Sequence, residues 1–228
     1  MPATLVLSVE YALAPYDDGP NPNDAPRAVK DALAAFDDVV GRAAEFGADP
    51  ARISVGGDSA GGNLSAVVSQ QRRGAALPPS AQLLIYPATD GSERSESYES
   101  RELFGKGLAI TLADFEAFGR YYIGASGIPH DDPRVSPLCA EDFGGLPPAL
   151  VVVAGFDLLR DDGEKYFERL KSAAAEVDGD AAARDFRRLS FDTLTHGFVH
   201  MTGVCPSALD AMVKIGREWR ELLDGAGR

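Results

Sequence analysis

A chain of 228 residues, 45% of them apolar, is long enough to bury one full core. Its 35 acidic against 22 basic residues leave a formal net charge of −13, which argues against nucleic acid and anionic membrane surfaces as partners. Cys139 and Cys205 are too few and too far apart for a disulfide framework or a metal motif, no apolar run reaches membrane-spanning length, and the start lacks a signal-peptide pattern, so a reducing, cytoplasmic setting is expected.

Strand-like and helix-like runs alternate along the chain, the pattern of a parallel α/β sheet. Thr4–Tyr11 is rich in β-branched residues and reads as a strand, ended by Pro15. Val29, Leu33, Phe36 and Val40 recur at helical spacing, with Gly47 as the expected C-cap. Arg52–Val55 is a short strand, and a helix opening at Asn63 is expected to end near Gly74. Gln82–Tyr86 reads as a buried strand stopped by Pro87. Residues 91–145 break the rhythm and are too long for a plain connection. They read as a lid-like insertion within a single domain of residues 1–228. In it Ser92–Ser100 is expected as loop, and Thr111-Leu112-Ala113-Asp114 as a capping box ahead of a helix over Phe115–Tyr122. Leu150–Ala154 is a continuous apolar strand, Asp161–Ala175 an amphipathic helix, and residues 176–184 an acidic, Ala-rich surface loop. Phe186–Phe191 alternates as a final strand. Pro206–Leu223 closes the chain as a helix, with Leu209, Met212, Val213 and Trp219 expected on the core.

Between the strand ending at Val55 and the helix opening at Asn63 stands Gly56-Gly57-Asp58-Ser59-Ala60-Gly61-Gly62. Gly-x-Ser-x-Gly between a strand and a helix is the nucleophile-elbow pattern. The turn is tight and strained, so small residues must flank a serine whose Oγ stands clear of the sheet. The following helix then points its N-terminal N–H groups at developing negative charge. A serine needs a base, and the base needs an orienting carboxylate. Three histidines are available: His130, His196 and His200. In a parallel sheet catalytic groups gather at the carboxyl ends of strands. His196 follows the final strand and occupies such a place. His130 lies in the insertion, and His200, which lies one turn beyond His196 if the segment after Gly197 is helical, then reads as structural. Asp157 closes the strand from Leu150 and is the strand-end acid. Asp161 and Asp162 read as charging the start of the next helix, and Asp58 as making local hydrogen bonds under the elbow. Ser59, Asp157 and His196 fall in the chain order of an α/β hydrolase.

Several segments together resemble the hormone-sensitive-lipase-like esterases, the bacterial carboxylesterase branch of the α/β hydrolases. Gly57-Asp58-Ser59-Ala60-Gly61-Gly62-Asn63-Leu64 is similar to that family's elbow, and Tyr11-Ala12-Leu13-Ala14-Pro15 to its Tyr-Arg-Leu-Ala-Pro signature. Asp132-Pro133-Arg134-Val135-Ser136-Pro137-Leu138 resembles its lead-in to the penultimate strand, Gly155–Asp161 its acid turn, and His196-Gly197-Phe198 its base turn. The resemblance runs from about Val6 to Leu223. It implies a three-layer α/β-hydrolase fold with a mostly parallel sheet and a serine carboxylesterase acting on small acyl esters. It also implies Ser59 as nucleophile, Asp157 as orienting acid, His196 as general base and the Ala60 N–H as an oxyanion donor, with no cofactor and no metal.

The chain departs from the family in two places. Ala12 stands where the family has Arg. The family's His-Gly-Gly-Gly oxyanion loop precedes the Tyr-Arg-Leu-Ala-Pro strand, and this sequence begins at that strand. The expectation is an N-terminally truncated member, its first strands missing and its turnover weak or absent. Either Leu5–Tyr11 shifts to pair with the elbow strand, or an apolar edge is left that invites self-association. The alternative is a non-catalytic ligand-binding protein on a hydrolase scaffold, as the plant gibberellin receptors are, or an inactive remnant. The presence of all three triad residues favours the enzyme.

Overall fold

In the computed structural model, which describes residues 4–14, 23–107, 109–178 and 185–226, four strands form one parallel sheet in the order β1-β2-β3-β4. They are β1 (Val55–Asp58), β2 (Gln82–Ile85), β3 (Ala149–Phe156) and β4 (Phe186–Thr195). One line of register crosses the sheet through Gly57, Leu84, Val151 and Arg188. Six α-helices accompany them: α1 (Arg27–Gly41), α2 (Ala60–Arg72), α3 (Glu99–Phe104), α4 (Leu112–Ile123), α5 (Arg160–Asp178) and α6 (Pro206–Ala226).

The apolar run of β3 shows why the sheet is covered on both faces. Successive side chains of a strand point to opposite faces. Ala149, Val151 and Val153 pack with Ala66 of α2 and with Tyr166, Phe167 and Leu170 of α5. Leu150, Val152 and Ala154 pack with Ala208, Ala211, Ile215 and Leu222 of α6. The result is three layers, with α1 docked on α2 through Ala28, Val29, Leu64 and Val67. α1 stops at Gly41, and a 3₁₀ turn over Ala43–Phe46 follows. Gly47 ends that turn, not the α-helix, in the left-handed region at φ 67°.

Thr4–Tyr11 is not a strand. A strand needs a ladder for its N–H and C=O groups, and no described strand lies on the free side of β1 to offer one. The segment does not shift onto β1. Leu5, Val6, Leu7 and Val9 are exposed, while Tyr11 packs beside α1 and α2 and the Ala12 N–H donates to Asp31 Oδ2 at 3.0 Å. Arg52–Val55 also reads differently in space. Pro50–Arg52 is a 3₁₀ turn, and the strand starts at Val55 and runs into the elbow.

Ser92–Ser100, expected as loop, forms a 3₁₀ turn over Glu93–Ser97 and the start of α3. The capping box at Thr111 is present: its Oγ1 accepts from the Asp114 N–H, and the Asp114 carboxylate accepts from the Thr111 N–H. Helix α5 extends to Asp178 through the first residues of the expected surface loop, and residues 179–184 lie outside the described residues. On α6 the expected core face is half wrong. Met212 and Trp219 pack on the core, but Leu209 and Val213 are exposed. The buried stripe is Ala208, Ala211, Ile215 and Leu222. Leu209 lies one residue, about 100°, round the helix from Ala208. Small alanines mark the face that approaches the sheet closely, and the larger leucine misleads.

Candidate active site

Ser59 stands between β1 and α2 with φ 52° and ψ −116°, a strained conformation for a residue with a Cβ. Two of the glycines around it, Gly57 and Gly62, are sterically required. A Cβ on Gly57 would lie 2.5 Å from the Gly61 carbonyl carbon, and one on Gly62 would lie 2.9 Å from Pro87 Cβ. The Ser59 N–H donates to Ile85 O at 2.9 Å, and its carbonyl accepts from the Asn63 N–H at 3.0 Å. The Asn63 side chain donates to Ala88 O at 2.6 Å and Val135 O at 2.8 Å, tying the elbow helix to the loop after β2 and to the Asp132–Leu138 segment. Ala60 is the first residue of α2, so its N–H is among those with no partner within the helix.

The structure brings the three expected residues together at three strand ends. His196 Nε2 lies 3.0 Å from Ser59 Oγ, and Nδ1 lies 2.8 Å from Asp157 Oδ2. Asp157 is buried, and its Oδ1 accepts from the Leu159 N–H at 2.8 Å. Gly155 permits the approach of β3 to β4 just before the acid, since a Cβ there would lie 2.2 Å from Asp192 O. Gly197, at φ 76°, turns the chain directly after His196. The other two histidines stand apart. His130 is exposed and contacts Gly91 O at 3.3 Å. His200 lies on a 3₁₀ turn over Phe198–Met201, exposed, with Nε2 3.2 Å from Asp58 Oδ2. Asp58 makes the hydrogen bonds expected under the elbow, but to residues distant in sequence: the Tyr86 hydroxyl also donates to its Oδ2 at 3.2 Å. Burial, then the Asp58 charge, pushes the Tyr86 phenol far above its ordinary range.

The acid turn rests on a buried polar group that sequence reasoning missed. The Leu158 carbonyl accepts from Ser100 Oγ at 2.8 Å and from Arg101 Nη1. Arg101 Nη2 is 2.9 Å from Asp162 Oδ2, close enough to pair though not aligned as a hydrogen bond. Asp162 Oδ1 accepts from the Thr89 and Asp90 N–H groups. Burial pushes the Asp162 carboxyl up to about 7, against the pull of Arg101. Asp90 goes the other way. Burial raises it, but hydrogen bonds from Ser92, Tyr98 and Arg94 together outweigh that and hold it low. Asp162 therefore does more than charge the start of α5. A local signal for this does not exist, because Arg101 in a polar stretch and an acidic residue at a helix start both read as solvated.

Among the described residues no group of three His, Cys, Asp or Glu side chains could hold a metal ion, and no helix is long and apolar enough to cross a membrane. The arrangement can abstract a proton from Ser59 Oγ and return it, with one backbone donor beside the serine.

A family profile described as alpha/beta hydrolase fold matches residues 2–184. Carboxylic ester hydrolase LipN of Mycobacterium tuberculosis is 46% identical over 202 residues, 86% of this chain and 49% of the relative. Esterase LipI of the same organism is 39% identical, over 91% of this chain and 59% of the relative. The structure of EstE1, a thermophilic carboxylesterase cloned from a metagenomic library, superposes with a TM-score of 0.78 at 37% identity, covering 94% of this chain and 67% of that one. The chain thus spans about half to three-fifths of the length of these curated relatives.

Proposed function

The chain belongs to the α/β-hydrolase family, in its hormone-sensitive-lipase-like carboxylesterase branch, and from that premise we propose that it is a serine carboxylesterase acting on small acyl esters. Ser59 Oγ attacks the ester carbonyl while His196 Nε2 takes its proton. Asp157 holds the other ring nitrogen and stabilises the imidazolium that forms. The tetrahedral oxyanion is met by the Ala60 N–H at the start of α2. Collapse breaks the ester C–O bond, and His196 protonates the leaving alkoxide. Water, deprotonated by the same imidazole, then releases the acid and restores Ser59. In this reading residues 91–145 form a lid-like insertion of one domain, supported by the grip of Ser100 and Arg101 on the acid turn.

The observation that carries the reading is the unbroken chain of short contacts Ser59 Oγ–His196–Asp157, at 3.0 and 2.8 Å, among residues far apart in sequence. An ordinary glycine-rich turn has no reason to meet a histidine paired with a buried aspartate. The test is a fluorophosphonate probe with peptide mapping, beside hydrolysis of short p-nitrophenyl esters. Labelling is expected at Ser59 and lost in Ser59→Ala. Equal labelling of the variant removes Ser59 as the nucleophile.

A further inference from the structure

The two hydrogen bonds of His196 fix its nitrogens but leave the imidazole free to swing about the line that joins them. Only what lies against the faces of the ring can stop that motion. Tyr86 lies there, with ring centroids 4.6 Å apart and planes at 53°. It is fully buried, one residue beyond β2, and its N–H still donates to Val152 O at 2.7 Å. Yet its φ is +34°, a region that a bulky residue adopts only where its surroundings over-determine it. The same side chain has its hydroxyl on Asp58, the residue before Ser59, and its ring edge-on to Phe198, two residues after His196. Its ring stands beside the base and its tip reaches the nucleophile's neighbour.

We propose that Tyr86 is a positioning residue: its ring is the wall that holds the His196 imidazole in the plane of the Ser59–Asp157 contacts, and its hydroxyl, bound to Asp58, locks that wall to the elbow. The proposal rests on the esterase reading for its kinetic consequence and on geometry alone for the ring contact. A second carboxylate–histidine contact, Asp58 to His200, pins the base turn from its exposed side. Packing alone would explain a buried aromatic here. It would not explain the strained backbone together with the placement of the polar tip on the residue next to the nucleophile.

The test uses the whole chain and two variants. Tyr86→Phe keeps the wall and loses the lock, so fluorophosphonate labelling of Ser59 should slow by no more than about fivefold. Tyr86→Leu loses the wall, and labelling should slow on the order of 10²-fold, the scale of a misplaced catalytic group. An NMR readout is independent of labelling. The His196 ring protons of the wild type should be shifted upfield by the Tyr86 ring current and show cross-relaxation to its ring protons. In Tyr86→Phe the shift stays, and in Tyr86→Leu it disappears. Labelling of Tyr86→Leu as fast as wild type overturns the proposal, as does Tyr86→Phe as slow as Tyr86→Leu. Wild-type His196 protons without the shift also overturn it, even if Tyr86→Leu fails to fold. A wild type that shows the ring contact but is never labelled sinks the esterase reading and leaves the wall standing.

Discussion

Replacing Arg101 by methionine keeps most of its apolar stem and deletes the guanidinium, whose central carbon stands 4.3 Å from the Phe115 ring centroid. Leu158 O loses a charged donor next to the acid turn, which costs about 1.5–3 kcal/mol at any pH. Asp162 loses the cation 2.9 Å away, and that part depends on pH. In the wild type burial holds this carboxyl up to about 7, well above an unfolded aspartate. A raised carboxyl contributes its stability in full below about pH 4, and that contribution falls as pH rises toward 7. Beyond 7 the fall stops in the wild type, because Asp162 ionises beside Arg101. In Arg101→Met the buried carboxyl has no cation to ionise against, its pKa rises further, and the fall continues. The gap between the two proteins should therefore widen by roughly 3 kcal/mol over two pH units above 7. Urea unfolding of both at about pH 6 and about pH 9 measures it. Between the double variant Arg101→Met, Asp162→Asn and Asp162→Asn alone, the gap should not change with pH. A gap for Arg101→Met that is constant, or widest at acid pH, refutes the reasoning.

Other changes probe the site and its frame. Asp157→Asn keeps the size of the acid but loses its charge, and Ser59 labelling should slow on the order of 10⁴-fold. Unchanged labelling would show that Asp157 does not orient His196. Gly155→Ala forces a Cβ against Asp192 O, and should cost about 1–3 kcal/mol in urea unfolding as β4 is pushed away. A variant as stable as wild type would mean that β3 and β4 do not meet so closely. Thr111→Ala removes the N-cap of α4 and should cost about 1 kcal/mol, while helix content elsewhere is kept. No loss of stability would show that the cap is not made in solution.

Much of the architecture was legible because its signals are local. Apolar runs bounded by Gly and Pro marked β2 and β3, and the capping box of Thr111 was readable within four residues. Gly57, Ser59 and Gly62 are dictated by one turn, where a Cβ would strike Gly61 or Pro87. The three site residues were legible as strand-end positions, each a short-range property of its own segment. What joined them was not: Ser59 and His196 meet across 137 positions, through a sheet register that no local pattern states.

The rest was decided by what lies opposite. Thr4–Tyr11 has the composition of a strand but, among the described residues, no ladder to join, since pairing belongs to two segments and not to one. Leu209 and Val213 look like core residues, but Ala208 and Ala211 take the face where α6 comes close to the sheet. Arg101 and Asp162 look solvated, and become a buried pair only because Arg101 reaches Leu158 and Asp162 at once. The sequence by itself determined which turns must be glycine, which strands are buried and which side chains have the chemistry for acyl transfer. Those depend on backbone sterics and residue type, which act over a few positions. Tertiary structure alone decided which polar groups are taken out of water and which apolar faces stay in it, because burial depends on neighbours distant in the chain.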